Sequence, residues 1–416
     1  MKKNNDKPKL RFPGFNDPWE QRKFEDMYKV ISGYAFKMSD YIESGVAIIN
    51  GEAIQHNKIE SNNFNYLPES FSAKYSKLIL DKGDIVIGLN RPITNGQLKI
   101  ARIPSELSGS LLYQRAGKIE SLQSTYEDFT YTLLDQEILK FTLKEAVGSD
   151  QPFISTTKLN KWNFLIPSNI NEQEKIGTLF NQLDGTITLH QRKLNHLQDK
   201  KKSLLQKMFP KNGEDFPELR FPGFTDPWEQ RKLGDVVERV TRKNKDLEST
   251  LPLTISAQNG LVDQNVFFNK TVASRDVSGY YLVKNGEFAY NKSYSNGYPW
   301  GAVKRLDRYD MGVLSTIYIV FNPTDVNSDF LTKYYDTTYW YRQVSKHAAE
   351  GARNHGLLNI AASDFFETEL TIPKDKAEQK KIGQFFKDLD NLIALHQRKL
   401  NHLKEQKKAL LQQMFI

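Results

Sequence analysis

The chain of 416 residues contains no cysteine. Disulfides, thiolate zinc sites and cysteine nucleophiles are therefore excluded, and a cytosolic location is the expectation that fits. No apolar run approaches the roughly 18 residues of a membrane span, and the mean hydropathy is −0.59. Lys2 and Lys3 are followed by polar residues, so no signal peptide is expected either.

Motifs for catalysis on nucleic acid are also missing. The sequence has no G-x-x-x-x-G-K-[ST] phosphate loop, no glycine-rich nucleotide turn and no H-E-x-x-H. The run from Asn322 to Asp325 (NPTD) lacks the second proline and the aromatic residue of an amino-methylation motif, which would clamp a flipped base. The sequence therefore predicts a recognition protein without an active site or a bound metal.

What the chain does have is an internal repeat. Residues 166–210 return as residues 372–416 with roughly 27 of 45 positions identical by direct count. The opening segment from Pro8 to Phe24 (PKLRFPGFNDPWEQRKF) likewise returns from Pro217 to Leu233. One unit is used twice, as a short motif, a variable region and a long helix. This layout is typical of one task performed at two places with two specificities.

The repeat and the length together predict an α+β protein with two mixed α/β globular domains. Two long antiparallel coiled-coil helices would join them, related by a pseudo-twofold repeat. The predicted segments are 1–165 and 212–371 for the globular domains with their opening motifs, and 166–211 and 372–416 for the helices.

The two helices follow heptad spacing without a break. Polar seam positions, namely His190, Lys201, His396 and Lys407, are interpreted as register-setting or snorkelling residues and not as metal ligands. A helix of 38 residues would be about 57 Å long, near the length of about 17 base pairs, so the pair could act as a ruler on DNA. The predicted helix-pairing residues are Ile176, Phe180, Leu183, Ile187, Leu194, Leu197 and Leu204 in the first helix and Ile382, Phe386, Leu389, Ile393, Leu400, Leu403 and Leu410 in the second.

The net charge of +8 indicates a polyanionic partner. Counting along the sequence assigns about +9 to the two helices, so the rest of the chain is close to neutral. If the variable regions bind DNA, they must therefore use local patches and loops.

Each variable region contains a strand, a polar loop and a returning strand. In the first, residues 84–88 (DIVIG) and 97–103 flank a loop that ends in Asn-Gly, and in the second, residues 287–291 and 302–306 flank the loop 292–301. A second loop closes each region, at residues 146–156 and 349–360. The polar side chains of these loops are of the types that contact base edges and phosphates. For each of them the alternative interpretation is an ordinary polar loop residue with no contact to DNA. The candidate DNA contacts are Asn90, Arg91, Asn95, Gln97, Lys99 and Gln151 in the first region and Asn291, Lys292, Tyr294, Asn296, Tyr298, Lys304, Arg353, Asn354 and His355 in the second.

These motifs closely resemble the specificity subunit of type I restriction-modification systems. The resemblance is carried by the LRFPGF-x-DPWE openings at Leu10 and Leu219, the Ile-Pro entry into EQ-x-KIG helices and the QPFIS-like stretch after Gly148. Residues 351–360 (GARNHGLLNI) depart from that last form. The match covers essentially the whole chain.

The resemblance implies a non-enzymatic subunit that binds double-stranded DNA, two methylation subunits and, in the full complex, two restriction subunits. Each variable region would be a target recognition domain for one half of an interrupted site. The partners would methylate adenine N6 with S-adenosylmethionine and cleave with ATP and Mg, so no cofactor is expected in this chain. Two alternatives stay open, namely a coiled-coil protein whose domains bind other proteins, and an enzyme with an unrecognised site.

Overall fold

The computed structural model describes residues 7–60, 64–145, 152–293, 297–348, 358 and 360–415. The chain divides into two compact units. The first unit contains the residues up to His190 together with those from Lys399 onward, and the second contains Gln191–Arg398. These units are cut differently from the four segments expected from the sequence, because each long helix contributes residues to both of them.

The first unit is built mainly from short strands. Its strands are β1 (Glu20–Lys23), β2 (Tyr28–Ser32), β3 (Val46–Ile49), β4 (Ile54–Gln55), β5 (Lys58–Ile59), β6 (Tyr66–Leu67), β7 (Ile79–Leu80), β8 (Ile85–Gly88), β9 (Ile93–Thr94), β10 (Gln97–Leu98), β11 (Ile100–Arg102), β12 (Ser110–Leu112), β13 (Ala116–Ser121) and β14 (Asn163–Ile166). Its helices are α1 (Phe24–Met27), α2 (Ser70–Lys74), α3 (Glu127–Glu145), α4 (Thr156–Asn160) and the first part of α5 (Ile170–Lys207), with 3-10 turns at Met38–Asp40, Ser76–Leu78 and Ser105–Leu107.

The second unit repeats this plan with a different variable region. Its strands are β15 (Glu229–Lys232), β16 (Val237–Arg239), β17 (Leu253–Ser256), β18 (Gly260–Asp263), β19 (Tyr281–Lys284), β20 (Phe288–Asn291), β21 (Ala302–Arg305), β22 (Met311–Leu314), β23 (Ile319–Pro323) and β24 (Glu369–Ile372). Its helices are α6 (Leu233–Val236), α7 (Gln264–Phe268), α8 (Ser328–Tyr334), α9 (Tyr341–His347), α10 (Ala362–Phe366) and the first part of α11 (Lys376–Met414).

The two units have a central antiparallel sheet with the same strand order. It runs β11-β8-β13-β2 in the first unit and β21-β20-β23-β16 in the second. In both units the strand after the opening motif pairs with the strand that leads into the long helix, β1 with β14 and β15 with β24. The first unit adds a mixed sheet of order β6-β3-β12-β7, whereas the second adds the pairs β17-β18 and β19-β22.

The opening motif fastens the start of each long helix. The Arg11 guanidinium donates to both oxygens of Glu172, at 2.6 and 2.7 Å, and Glu172 is fully buried. Arg220 holds Glu378 in the same way, at 2.7 and 2.8 Å. Because a buried carboxylate needs a charged partner, the LRFPGF and EQ-x-KIG motifs are fixed as a pair.

The glycine of the EQ-x-KIG motif allows a neighbouring helix to pack closely against the long helix. A Cβ atom on Gly177 would lie 2.4 Å from the backbone nitrogen of Phe129, at the start of α3. On Gly383 it would lie 2.7 Å from the nitrogen of Phe330, at the start of α8. These positions therefore need glycine for close backbone packing and not for helix formation.

The core of each unit closes around the end of the other repeat's long helix. In the first unit Phe415, after α11, packs on Trp19, Phe129 and Phe180 with ring centroids 5.9–6.1 Å apart. In the second unit the equivalent residue is Phe209, after α5. It packs on Trp228, Phe330 and Phe386 at 5.5–6.2 Å.

Contacts within each unit run in opposite directions along the two helices. In the first unit Asp184 and Phe180 meet Lys407 and Phe415, so one residue number falls as the other rises. In the second unit Lys201 and Phe209 meet Asp390 and Phe386 in the same way. Together with the two sheet-containing units, this antiparallel pairing confirms the α+β fold class predicted from the sequence. All fourteen predicted helix-pairing residues are buried or half-buried.

Among the described residues, no helix combines the length and apolar character required to cross a bilayer.

Candidate nucleic-acid interface

The first candidate loop is a hairpin at the edge of the central sheet. Strand β8 pairs with β11 from Ile85 opposite Arg102 to Ile87 opposite Ile100, and the predicted strand-loop-strand is confirmed. The loop between them folds into the small hairpin β9-β10. Its turn residues Asn95 and Gly96 have φ of 52° and 76°. Positive φ at both positions is the type I′ geometry for which Asn-Gly is favoured.

The second unit carries the matching hairpin. Strands β20 and β21 pair with Asn291 opposite Ala302, as the sequence predicts. Gly301 has a φ of 80°, and a Cβ atom there would lie 2.1 Å from the Asn291 carbonyl oxygen. The Tyr290 hydroxyl donates to the Trp300 carbonyl at 2.9 Å. The base of this loop is therefore fixed by its own chain.

In both units the second loop of the region bonds to the hairpin. The Arg91 amide donates to the Pro152 carbonyl and the Ile154 amide to the Leu89 carbonyl, each at 2.8 Å. In the second unit the Leu358 amide donates to the Lys292 carbonyl at 3.0 Å. The two loops singled out in each region are thus neighbours in space.

The side chains of the first hairpin divide into exposed and buried groups. Arg91, Asn95 and Gln97 are exposed and Asn90 is half-buried. Lys99 is only 8% exposed, and its aliphatic stem covers Gly88. The hairpin therefore presents two amides and one guanidinium outward, while Lys99 lies behind them.

Phe153 is a candidate that the sequence analysis did not select. Its ring is 41% exposed, and its backbone forms a bridge with Asn90. An exposed aromatic ring beside amide side chains can contact a thymine methyl group or insert at a base step. The available signal was the position of Phe153 in the QPFIS-like stretch. The sequence alone could not predict that this stretch lies beside the hairpin.

Two candidate DNA contacts of the second unit form hydrogen bonds within the protein. The Lys292 ammonium donates to the Ile360 carbonyl at 3.4 Å, and the Asn291 side-chain oxygen accepts from the Ser293 amide at 3.0 Å. Tyr298 is half-buried. Six candidates lie outside the described residues, namely Gln151, Tyr294, Asn296, Arg353, Asn354 and His355.

Lys304, on β21, belongs to a partly buried ion-pair network. Its Nζ lies 3.1 Å from Asp336, which also pairs with Lys333 at 3.2 Å. Lys333 continues to Asp390 of α11 at 2.5 Å, and Lys201 of α5 pairs with the same Asp390 at 2.7 Å. The network joins β21, α8, α5 and α11 within the second unit.

The aspartates at equivalent places in the two units differ in charge balance. Burial alone would raise the pKa of Asp336, but the three surrounding lysines lower it to about 2. Asp135, at the matching place on α3, has His56 at 3.6 Å. Burial raises the pKa of Asp135, and His56 and Lys407 offset this only in part.

Among the residues that the structure describes, no group of three or more His, Asp or Glu side chains could hold a metal ion.

Comparison with known families agrees with this geometry. Residues 16–199 and 225–405 match the type I restriction modification DNA specificity domain. The chain belongs to this family. The two matched stretches are the two repeats, each containing one hairpin and most of one long helix.

Two relatives show how far the likeness extends. The specificity subunit of the type I restriction enzyme MjaVIII of Methanocaldococcus jannaschii is 31% identical over 191 residues, which are 45% of each chain. The EcoAI specificity subunit of Escherichia coli is 28% identical over 170 residues, covering 40% of this chain and 28% of that one. The match thus spans less than half the length of either relative.

Solved structures share the fold. The S subunit of a type I restriction-modification system from M. genitalium aligns with a TM-score of 0.62 over 99% of both chains, at 15% identity. A chain from a study of assembly and conformational transition of the type I system aligns with a TM-score of 0.50 over 97% of this chain and 98% of that one, also at 15% identity.

Proposed function

We propose that this chain is the DNA specificity subunit of a type I restriction-modification complex. Each unit would read one half of an interrupted DNA site. The chain would have no catalytic role of its own, and its partners would methylate adenine or cleave DNA. The family match supports this assignment. One observation carries the proposal that the chain recognises two half-sites. Each unit has a hairpin at the same position in its central sheet, and the side chains of the two hairpins differ.

The hairpin frame is the same in both units, whereas the described parts of the two loops differ. The first loop is a type I′ turn that exposes Arg91, Asn95 and Gln97. The second is held at Gly301 and at Lys292. A common frame with unlike loops suits two readers that must meet DNA in equivalent poses and recognise different bases.

Side-chain exposure supports a narrower set of proposed base contacts. We place Asn90, Arg91, Asn95, Gln97 and Phe153 at the first half-site because their side chains lie on the hairpin or its neighbour. We assign Lys99 to packing because it is buried, and Lys304 to the ion-pair network because it pairs with Asp336. The exposed amides and guanidinium match the donor and acceptor pattern of the major groove.

The partners and cofactors follow from the proposed role. Two methylation subunits would bind the chain, and two restriction subunits would join in the full complex. S-adenosylmethionine, ATP and Mg would be bound by those partners. The two helices, of 38 and 39 residues, are long enough to set the gap between half-sites.

A domain exchange tests the proposal. The segment from Phe24 to Leu165 is replaced by the corresponding segment of another family member, and methylated adenines are mapped across the genome of a host that carries the complex. One half-site should change, while the other half-site and the gap stay the same. A change in both half-sites would contradict independent reading by the two units.

Two further results would favour the alternatives. Equal binding of the complex to scrambled duplex and to the mapped site, at one salt concentration, would favour a coiled-coil protein that binds other proteins. Methylation by the purified chain with S-adenosylmethionine and no partner would identify an enzyme.

A further inference from the structure

A basic cleft of about 540 Å³ lies at the end of α3 in the first unit. Phe141 and Trp162 form its apolar wall, with ring centroids 5.6 Å apart. Lys144, Lys158 and Lys161 line its rim, and all three side chains are exposed. Among the residues that the structure describes, the lining contains one carboxylate, that of Glu145. The cleft therefore has an excess of positive charge beside a rigid aromatic surface.

The three lysines are available to an outside ligand. Within the described ranges of the chain, none of them forms an ion pair. Lys144 lies over the Trp162 ring, with Nζ 5.5 Å from the ring centroid, which orients its stem along the wall. By contrast, Lys140 on the same helix is neutralised by Glu137 at 2.7 Å. Ammonium groups without a carboxylate partner are the groups that bind phosphates and release counterions.

The cleft is close to the first hairpin. Helix α4, which carries Lys158, follows directly after the segment whose backbone bonds to the hairpin at Leu89 and Arg91. Lys158 lies five residues after Phe153, a span of at most about 17 Å even when fully extended. That distance equals about five base pairs along duplex DNA. DNA read by the hairpin would therefore pass within reach of the cleft.

The second unit has the opposite charge at the positions equivalent to Lys158 and Lys161. Lys158 and Lys161 lie five and two residues before β14, and Asp364 and Glu367 lie five and two residues before β24. Glu367 is paired with Lys232 at 2.7 Å. A surface that bound a partner common to both repeats would be expected to keep one sign of charge. The reversal indicates a ligand that only the first unit holds here.

We propose that Lys144, Lys158 and Lys161 bind backbone phosphates of the DNA next to the half-site read by the first unit. At the positions of Lys158 and Lys161 the second unit has Asp364 and Glu367 instead. The inference rests on the proposed function and adds a phosphate-binding cluster that would fix the position of the first hairpin on the duplex. Such contacts position a protein without reading sequence.

The test measures salt dependence of binding with the full chain. The probe is a mixed-sequence duplex longer than two helical turns, and the variant is Lys144→Gln/Lys158→Gln/Lys161→Gln. The slope of log K against log salt should fall in magnitude by about 2 to 3, since each lost phosphate contact removes about 0.9. The single variant Lys161→Gln should lower it by about 1, which keeps the test valid if the triple variant folds poorly.

The matched control is Lys74→Gln/Lys77→Gln/Lys82→Gln, which removes the same charge from exposed positions of the same unit. Its slope should change much less. Equal losses in the two triple variants would show that net charge matters and would overturn the cleft as a site. If the slope is unchanged in the cleft variants and the unmodified chain binds DNA normally, the inference about the cleft is wrong and the proposed function is unaffected.

Two other outcomes separate the inference from the proposed function. If the unmodified chain does not bind duplex DNA at low salt, the proposed function fails and the inference fails with it. If the cleft variants bind DNA normally but no longer assemble with methylation subunits, the cleft is a protein-docking surface and the inference is wrong.

Discussion

Lys407 of α11 pairs with Asp184 of α5, with Nζ 2.6 and 2.8 Å from the two carboxylate oxygens. Lys201 and Asp390 are the equivalent residues of the other repeat copies, and they pair at 2.7 Å in the second unit. Each lysine thus pairs with the aspartate of the opposite helix. Because register in antiparallel helices depends on few polar seam positions, these two ion pairs fix the alignment of α5 with α11 in each unit.

The first prediction concerns that pair. Lys407→Ala should lower the free energy of unfolding of the first unit by about 1 kcal/mol, because both side chains are partly buried. Lys404→Ala, at an exposed position of the same helix, should have little effect. A double-mutant cycle with Asp184→Ala measures the coupling. Additive losses would show that the pair contributes no specific interaction.

The second prediction is a pH dependence of opposite sign in the two units. The pKa of Asp336 is lowered to about 2 in the folded chain. Its stabilising contribution, about 2 kcal/mol, should therefore be complete above the ordinary pKa near 4 and be lost as the pH falls toward 2. Asp336→Asn should remove this contribution at neutral pH, as measured by chemical denaturation of the second unit.

Asp135 provides the matched comparison. Burial raises its pKa, so the folded first unit binds this proton more tightly than the unfolded chain does. Its contribution to stability should increase as the pH falls through the raised pKa. Asp135→Asn should accordingly cost far less than Asp336→Asn at pH 7. Equal losses for the two variants would contradict the different charge balance of the two sites.

The third prediction uses two glycines of one helix. Gly177→Ala should destabilise the first unit by about 1 to 3 kcal/mol, because the added methyl group meets the backbone of Phe129. Gly185 has nothing within 4 Å of its Cβ position. Gly185→Ala should therefore stabilise the helix by up to about 1 kcal/mol. Thermal unfolding of the two variants gives the comparison, and a loss in both would rule out steric contact as the cause.

The fourth prediction concerns base recognition. Arg91 and Asn95 have φ of 44° and 52°, so alanine at either position would also strain the backbone. Glycine removes the side chain and keeps the turn. Arg91→Gly and Asn95→Gly should each weaken binding of the complex to its methylation site by about 1 to 3 kcal/mol, with altered preference at one base pair. A uniform loss over all sequences would place the residue on phosphate, and no loss would leave it an ordinary loop residue.

The fifth prediction concerns Phe415. Phe415→Ala should destabilise the first unit by about 3 to 5 kcal/mol, because the ring fills the space between Trp19, Phe129 and Phe180. Hydrogen exchange resolved by peptide should show the loss around Trp19 and Phe129. Leu395→Ala, on the same helix and 54% exposed, should change stability by less than about 0.5 kcal/mol. Exchange that increases only near residue 415 would contradict the shared core.

The parts of the fold with a local physical signal could be predicted from the sequence. Heptad spacing identified both long helices, and Asn95-Gly96 identified a hairpin turn, because helical period and positive φ depend on neighbouring residues. The antiparallel direction followed from the internal repeat.

Contacts between distant residues could not be predicted in the same way. Arg11 and Glu172 are each ordinary in sequence, and their pairing depends on the strand β1 bringing the opening motif beside the helix. The ion pair of Lys304 was missed because a lysine beside a polar loop has the same local pattern whether it faces solvent or an aspartate far along the chain. Phe153 gained its candidate role only through its bridge to Asn90.

The place of Phe415 has a consequence for synthesis on the ribosome. The second unit is a continuous stretch of chain, so its residues are all present before α11 is complete. The first unit, although it is synthesised first, lacks an aromatic ring of its core until residue 415 has been added. The unit nearer the N-terminus must therefore finish folding last, which reverses the usual order in which domains of a nascent chain become native.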